Sequence, residues 1–95
     1  MQPPSLNHAE IRKLKAAAQR LAPVARVGKS GLTPATLAGI EQALAARELI
    51  KVRFAHDRAE RAVLAGRVAG ATGAALIWQV GKVAVFYRPQ PPGSS

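Results

Sequence analysis

Gly28-Lys29-Ser30-Gly31 is the stretch whose residue types and spacing can do chemistry, and that chemistry is anion binding. Two glycines remove two β-carbons, so backbone N–H groups can approach an anion closely. Lys29 adds a mobile charge and Ser30 a hydroxyl donor. A bare Gly-x-x-Gly also makes ordinary tight turns, so the spacing alone leaves a phosphate cradle and a plain turn both open. Gly-Lys-Ser invites a nucleotide-binding P-loop reading as well, but that motif needs a glycine five positions before Gly28, where Pro23 stands. A K-homology-type clamp, in which a Gly-x-x-Gly loop holds backbone nucleotides, is the closer mechanical analogue, although that fold is arranged differently.

The surrounding charge favours a polyanion. Arg12, Lys13, Lys15, Arg20, Arg26 and Lys29 follow one another with no acidic residue between them. The whole chain carries 14 Lys and Arg against 5 Asp and Glu, a formal charge of +9 over 95 residues. Such a surplus repels itself unless an anionic partner compensates it, and nucleic acid is the leading partner class. For each basic residue, a solvated helix face or strand edge is the plain alternative. Lys51 and Arg53 fall on one side of a strand and extend the basic surface, or simply keep an exposed face soluble. Trp78 and Tyr87 are the large amphipathic aromatics; Trp78 in particular is a candidate for stacking on an unpaired base, against a default of burial.

Other chemistries find little support. No cysteine is present, so thiol catalysis, disulfides and cysteine-bearing metal sites are excluded. His8 and His56 have no third ligand at metal spacing and no recognisable nucleophile. Asp57 and Glu60 are accounted for by helix capping. No catalytic constellation, metal site, cofactor or small-molecule substrate is expected. The N-terminus lacks a basic segment followed by an apolar run, and no stretch of about 18 apolar residues occurs, so a soluble, cytoplasmic, membrane-free and monomeric protein is expected.

The elements that must position the loop are legible from period and punctuation. Asn7 and Glu10 form a capping box before Ile11, Leu14, Ala18 and Leu21, which predicts a helix to about Leu21, stopped by Pro23. Val24 to Val27 reads as a short buried strand leading directly into the loop. Thr33 caps a second helix with Pro34 at its first position, buried through Leu37, Ile40 and Leu44 and ending near Arg47. Leu49 to Phe54 alternates cleanly, with Ile50, Val52 and Phe54 on one face. Asp57 and Glu60 open a third helix whose Val63, Leu64, Val68 and Ala71 are expected inward, with Gly73 ending it. Ala74 to Val80 and Val83 to Arg88 close the chain as a hairpin on Gly81-Lys82, a type II′ turn. Ile77 and its alternate neighbours are candidates for the core face, which would leave Trp78 on the other, and alternation alone does not decide which face is open. The expected fold is α/β, a two-layer sandwich in the order α-β-α-β-α-β-β with a four-stranded mixed sheet. Residues 1–5 read as a flexible N-terminus, 6–88 as one domain, and 89–95, rich in Pro, Gly and Ser, as a disordered tail.

Four ordered blocks carry a family resemblance: Pro23 to Thr33 around the loop, Glu48 to Arg53, Ala71-Thr-Gly-Ala74, and Val80 to Arg88. Over residues 6 to 88 they resemble the chloroplast RNA splicing and ribosome maturation (CRM) domain in its bacterial stand-alone, YhbY-type branch. The resemblance implies an RNA-binding protein associated with precursors of the large ribosomal subunit, and a sheet similar to the C-terminal domain of translation initiation factor 3. The family's loop maps onto Gly28, Lys29, Ser30 and Gly31 without a gap. The resulting expectation is a non-enzymatic binder of ribosomal RNA, with the loop and basic helix one on phosphates. The alternative is a basic interaction module that docks on an acidic protein, with RNA contact incidental.

Overall fold

In the computed structural model, which describes residues 5–90, three helices and four strands alternate as α1 (His8–Ala18), β1 (Ala25–Val27), α2 (Pro34–Arg47), β2 (Leu49–Phe54), α3 (Arg58–Thr72), β3 (Ala75–Val80) and β4 (Val83–Tyr87). Residues 1–4 and 91–95, which hold most of the expected flexible ends, lie outside the described residues. The caps are where the side-chain pattern puts them. Asn7 Oδ1 accepts from Glu10 N–H at 2.8 Å, and Glu10 Oε1 accepts from Asn7 N–H at 3.3 Å, satisfying two orphan donors of α1. Thr33 Oγ1 accepts from Thr36 N–H, and Asp57 Oδ1 accepts from Glu60 N–H at 2.9 Å. Gly73 ends α3 with φ +73, the left-handed conformation a glycine adopts without a β-carbon clash.

The strands form one mixed sheet in the order β1-β2-β4-β3. β1 runs parallel to β2, with Val27 beside Phe54, while β4 is antiparallel to both β2 and β3. Gly81 opens the β3–β4 turn at φ +56 and Lys82 stays out of the positive-φ region, the combination a type II′ turn requires.

One sheet face packs α2 and α3 over a core containing Val27, Ile40, Leu44, Ile50, Val52, Phe54, Val68 and Phe86. These side chains have no solvent exposure, and each Phe contributes about 2–3 kcal/mol of burial. Sheet, α2 and α3 make up the two-layer sandwich. α1 lies against the other face, contacting β2 and β3. Val85 points to that side, in register with Lys51 and away from Phe86, and is nevertheless fully buried, as is Ala18 of α1.

Several details differ from the sequence expectation. α1 ends at Ala18 rather than near Leu21; Arg20 and Leu21 donate three residues back, to Ala17 and Ala18, so the chain leaves the helix in a tightened turn before Pro23. β1 begins at Ala25, although Val24 N–H still bonds Lys51 O at 3.0 Å. β3 begins at Ala75, and β4 ends at Tyr87 rather than Arg88. On α3 the inward stripe is Leu64, Ala65, Val68, Ala69 and Thr72, while Ala71 is exposed and Val63 is 63% exposed, because a helix that packs only one side on a sheet keeps a narrow stripe.

The largest departure is in β3. Leu76 pairs with Phe86 and Trp78 with Val85, so Ile77 is one residue too many and forms a bulge. Leu76 therefore joins the α2/α3 core, while Trp78 and Val80 fall on the α1 side. An alternation with Ile77 in the core fails at that extra residue.

At the end of the sheet where β2 starts, Arg88 ties three elements together. Its Nη1 donates to Glu41 Oε2 of α2 at 2.7 Å and to Thr72 O at the end of α3 at 2.8 Å, while its N–H donates to Glu48 O at 2.9 Å. A cation at the last turn of α3 also suits that helix's negative end. Gln90, within the expected tail, donates its backbone N–H to Glu48 Oε2 and its side-chain amide to Leu44 O and Ala45 O. Arg88→Ala should cost about 2 kcal/mol, since charged hydrogen bonds are lost and Thr72 O is left without its donor. The measurement is urea unfolding, with a lower midpoint at unchanged slope; an unchanged midpoint would remove Arg88 from the framework.

Candidate nucleic-acid interface

Parallel pairing makes β1 and β2 finish at the same end of the sheet, and the β3–β4 turn lies there too, because Arg53 faces Val83 and Phe54 N–H donates to Lys82 O at 2.8 Å. The loop after β1, the loop after β2 and the hairpin turn consequently share one edge, together with the N-termini of α2 and α3. Both helices present the positive end of their dipoles there.

The glycine loop is a closed turn. Gly31 N–H donates to Gly28 O at 2.9 Å, and Thr33 N–H to Gly31 O at 3.1 Å. The N–H groups of Gly28, Lys29 and Ser30 make no bond among the described residues and are the loop's free backbone donors. The two glycines have different reasons to be glycine. Gly31 sits at φ +79, where an L side chain is strained, whereas Gly28 has no such φ, and a β-carbon there would meet nothing within 4 Å. Gly28 therefore faces open space.

Lys29 and Gly31 border a shallow hollow completed by His56, Glu60, Val63 and Leu64. None of its lining comes from α1. The structure thus separates two groups of predicted residues: Lys29 and Ser30 at the sheet's end, and Arg12, Lys13, Lys15 and Arg20 on or just after the helix that crosses the second face. Arg12, Lys13 and Arg20 are exposed, while Lys15 is half-buried with its Nζ 5.5 Å from the centroid of Trp78. Trp78 is half-buried, and a stacked base would have to displace that ammonium or use the ring's other face.

Arg26 and Arg53 are brought together. They are direct neighbours across the parallel pair, both exposed on the α1 side, and with Lys82 they line a pair of adjoining hollows. Lys51 points the same way but is half-buried. Like charges in direct register destabilise a sheet, so this arrangement favours an anion placed between them. Lys82, Arg58 and Arg61 also stand at this end and were not singled out from sequence. Lys82 immediately precedes β4, whose register with β2 is invisible in composition; the II′ turn was the available signal.

Among the described residues, one ion pair forms, Arg88 to Glu41, and no group of three His, Asp or Glu is placed to hold a metal. No helix among the described residues is long and apolar enough to cross a membrane. Against known families, residues 6–88 match the model of the CRS1 / YhbY (CRM) domain. The chain belongs to this family. The CRM chain is 42% identical over 77 residues to an RNA-binding protein of Haemophilus influenzae, spanning 80% of this chain and 78% of that one. It is 34% identical over 88 residues to a Pseudomonas aeruginosa protein also named for RNA binding, spanning 92% and 85%. The solution structure of a Staphylococcus aureus protein described as a candidate RNA binder superposes with a TM-score of 0.82 over 95% of both chains, at 27% identity.

Two substitutions separate conformation from access in the loop. Gly31→Ala should cost about 1–2 kcal/mol from forced left-handed geometry, and Gly28→Ala should leave stability unchanged or slightly raised. Thermal melts of both variants decide this, and equal losses would show that Gly28 is also held by conformation. Arg53→Gln should raise stability at low salt by about 0.2–0.5 kcal/mol, a gain that fades as salt screens the Arg26 repulsion. A gain independent of salt would point to packing instead.

Proposed function

We propose that this CRM domain is a non-enzymatic RNA-binding protein that holds the phosphate backbone of structured ribosomal RNA and assists maturation of the large ribosomal subunit in the cytoplasm. The observation that carries the reading is the clustering at one sheet end of three free backbone N–H groups, two helix N-termini and a set of basic side chains that form no ion pair among the described residues. Family membership and the RNA-binding names of the relatives support the class of ligand. The ribosomal target rests on the resemblance to the stand-alone bacterial branch.

In this reading Lys29 and Ser30 donate to one phosphate, with Gly28 permitting close approach and Gly31 fixing the turn. Arg26, Arg53 and Lys82 follow the backbone on the α1 side, where Lys51 and the exposed Arg12, Lys13 and Arg20 extend the field. Phosphate contacts set register and orientation, and specificity comes from RNA shape. Nothing in this arrangement requires a cofactor or a bond-making step.

Lys29→Glu should weaken binding to large-subunit ribosomal RNA fragments several-fold at moderate salt and lower the slope of log affinity against log salt by about 0.7–0.9, one phosphate's share. Affinity and slope both unchanged would remove the loop from the mechanism. Persistence of the protein with its cellular partner after complete RNA digestion would favour docking on an acidic protein instead.

A further inference from the structure

A second cationic hollow lies on the opposite side of the hairpin turn from Arg26, Arg53 and Lys82. It is lined by Arg58, Arg61 and Ala62 of α3 and by Gln79 and Gly81 of the hairpin. The two sides are fixed by register. Gln79 pairs with Ala84, whose side chain belongs to the α2/α3 core, so Gln79 points to the α3 side; Arg26 and Arg53 point to the α1 side. Gly81 borders one hollow and Lys82 one of the hollows across the turn, so the two-residue turn is the partition between them.

Four features make the α3 hollow suited to an anion. No acidic residue lines it. Arg58 is the first residue of α3, at the helix's positive end, and Arg61 is one turn further on. Arg61 is also incompletely satisfied: one Nη donates to His56 O at 3.0 Å, while its Nε is buried with no acceptor. A buried guanidinium N–H without a partner is costly, and an acceptor entering the hollow as the guanidinium turns toward it removes that cost. Gln79 supplies an exposed amide donor on the facing wall.

We propose that Arg58, Arg61 and Gln79 form a second phosphate subsite, and that the β3–β4 turn sits between two segments of RNA backbone, one on each side of the sheet. The subsite takes a phosphodiester of the same class of RNA as the loop, so it rests on the proposed RNA-binding function and deepens it. A partner that offers two backbone segments to one protein end is a helical junction or a pair of packed stems, whereas a short single strand can occupy only one side. Arg61 anchors its own backbone neighbour, so the test leaves it in place.

The experiment compares wild type, Arg58→Glu and Gln79→Glu, with folding checked by thermal melts, on two RNAs of matched length: a three-way junction from large-subunit ribosomal RNA and an unstructured single strand. Gln79→Glu is nearly isosteric on an exposed strand position and keeps the test informative if Arg58→Glu melts early. The expected result is a loss of about tenfold for each variant on the junction and less than about twofold on the single strand. Equal losses on both RNAs, or no loss on the junction while wild type binds it, would overturn the two-sided subsite and leave the loop reading standing. Failure of the wild type to bind either RNA would overturn the RNA-binding function itself.

Discussion

Parallel pairing of β1 with β2 is the constraint on which the rest of the molecule depends. Two parallel neighbours must finish at the same edge, so the glycine loop and the loop into α3 emerge side by side, and each feeds a helix whose N-terminus stays at that edge. The antiparallel β4 then starts there, bringing the hairpin turn and Lys82 into the same place. Three segments far apart in the chain are gathered by one choice of strand direction. The opposite edge receives both helix C-termini, and there Arg88 meets Glu41, the carbonyl of Thr72 and the backbone of Glu48.

The acidic residues show the same segregation of tasks. Glu10 and Asp57 cap helices, Glu41 pairs with Arg88, and Glu48 receives Gln90. Glu60 stands in the first turn of α3, where a negative charge suits the helix dipole. Carboxylates are spent on holding the chain in shape, and among the described residues none is left facing Arg26, Arg53 or Lys82 in the hollows they line. The positive charge of those hollows is thereby left without a carboxylate in their lining.

Much of this was legible in the residues. Capping side chains at Asn7, Thr33 and Asp57 announced all three helices, Pro34 and Gly73 marked an entrance and an exit, and the strict alternation of Ile50, Val52 and Phe54 gave β2 its faces. What was hidden depends on tertiary register. Period-two reasoning fails at Ile77 because a bulge inserts a residue without any glycine or proline to mark it, and the core position of Leu76 follows from that insertion, while Trp78 lies on the face away from the α2/α3 core. The neighbourhood of Arg26 and Arg53 is likewise a property of the pairing between strands, as is the company Lys82 keeps. Val63 was misjudged because helical spacing gives the direction of a stripe more reliably than its width.

The Gly28 to Gly31 turn closes on itself by its own backbone bond, and the glycine at φ +79 holds it in that shape. Such a loop is a template before anything binds. Its ordering entropy is settled during folding, so encounter with a ligand demands little rearrangement from the protein side. Any reshaping needed for a fit must then come from the partner, and under the proposed function RNA backbones that already present the right curvature are selected over those that have to be bent into it.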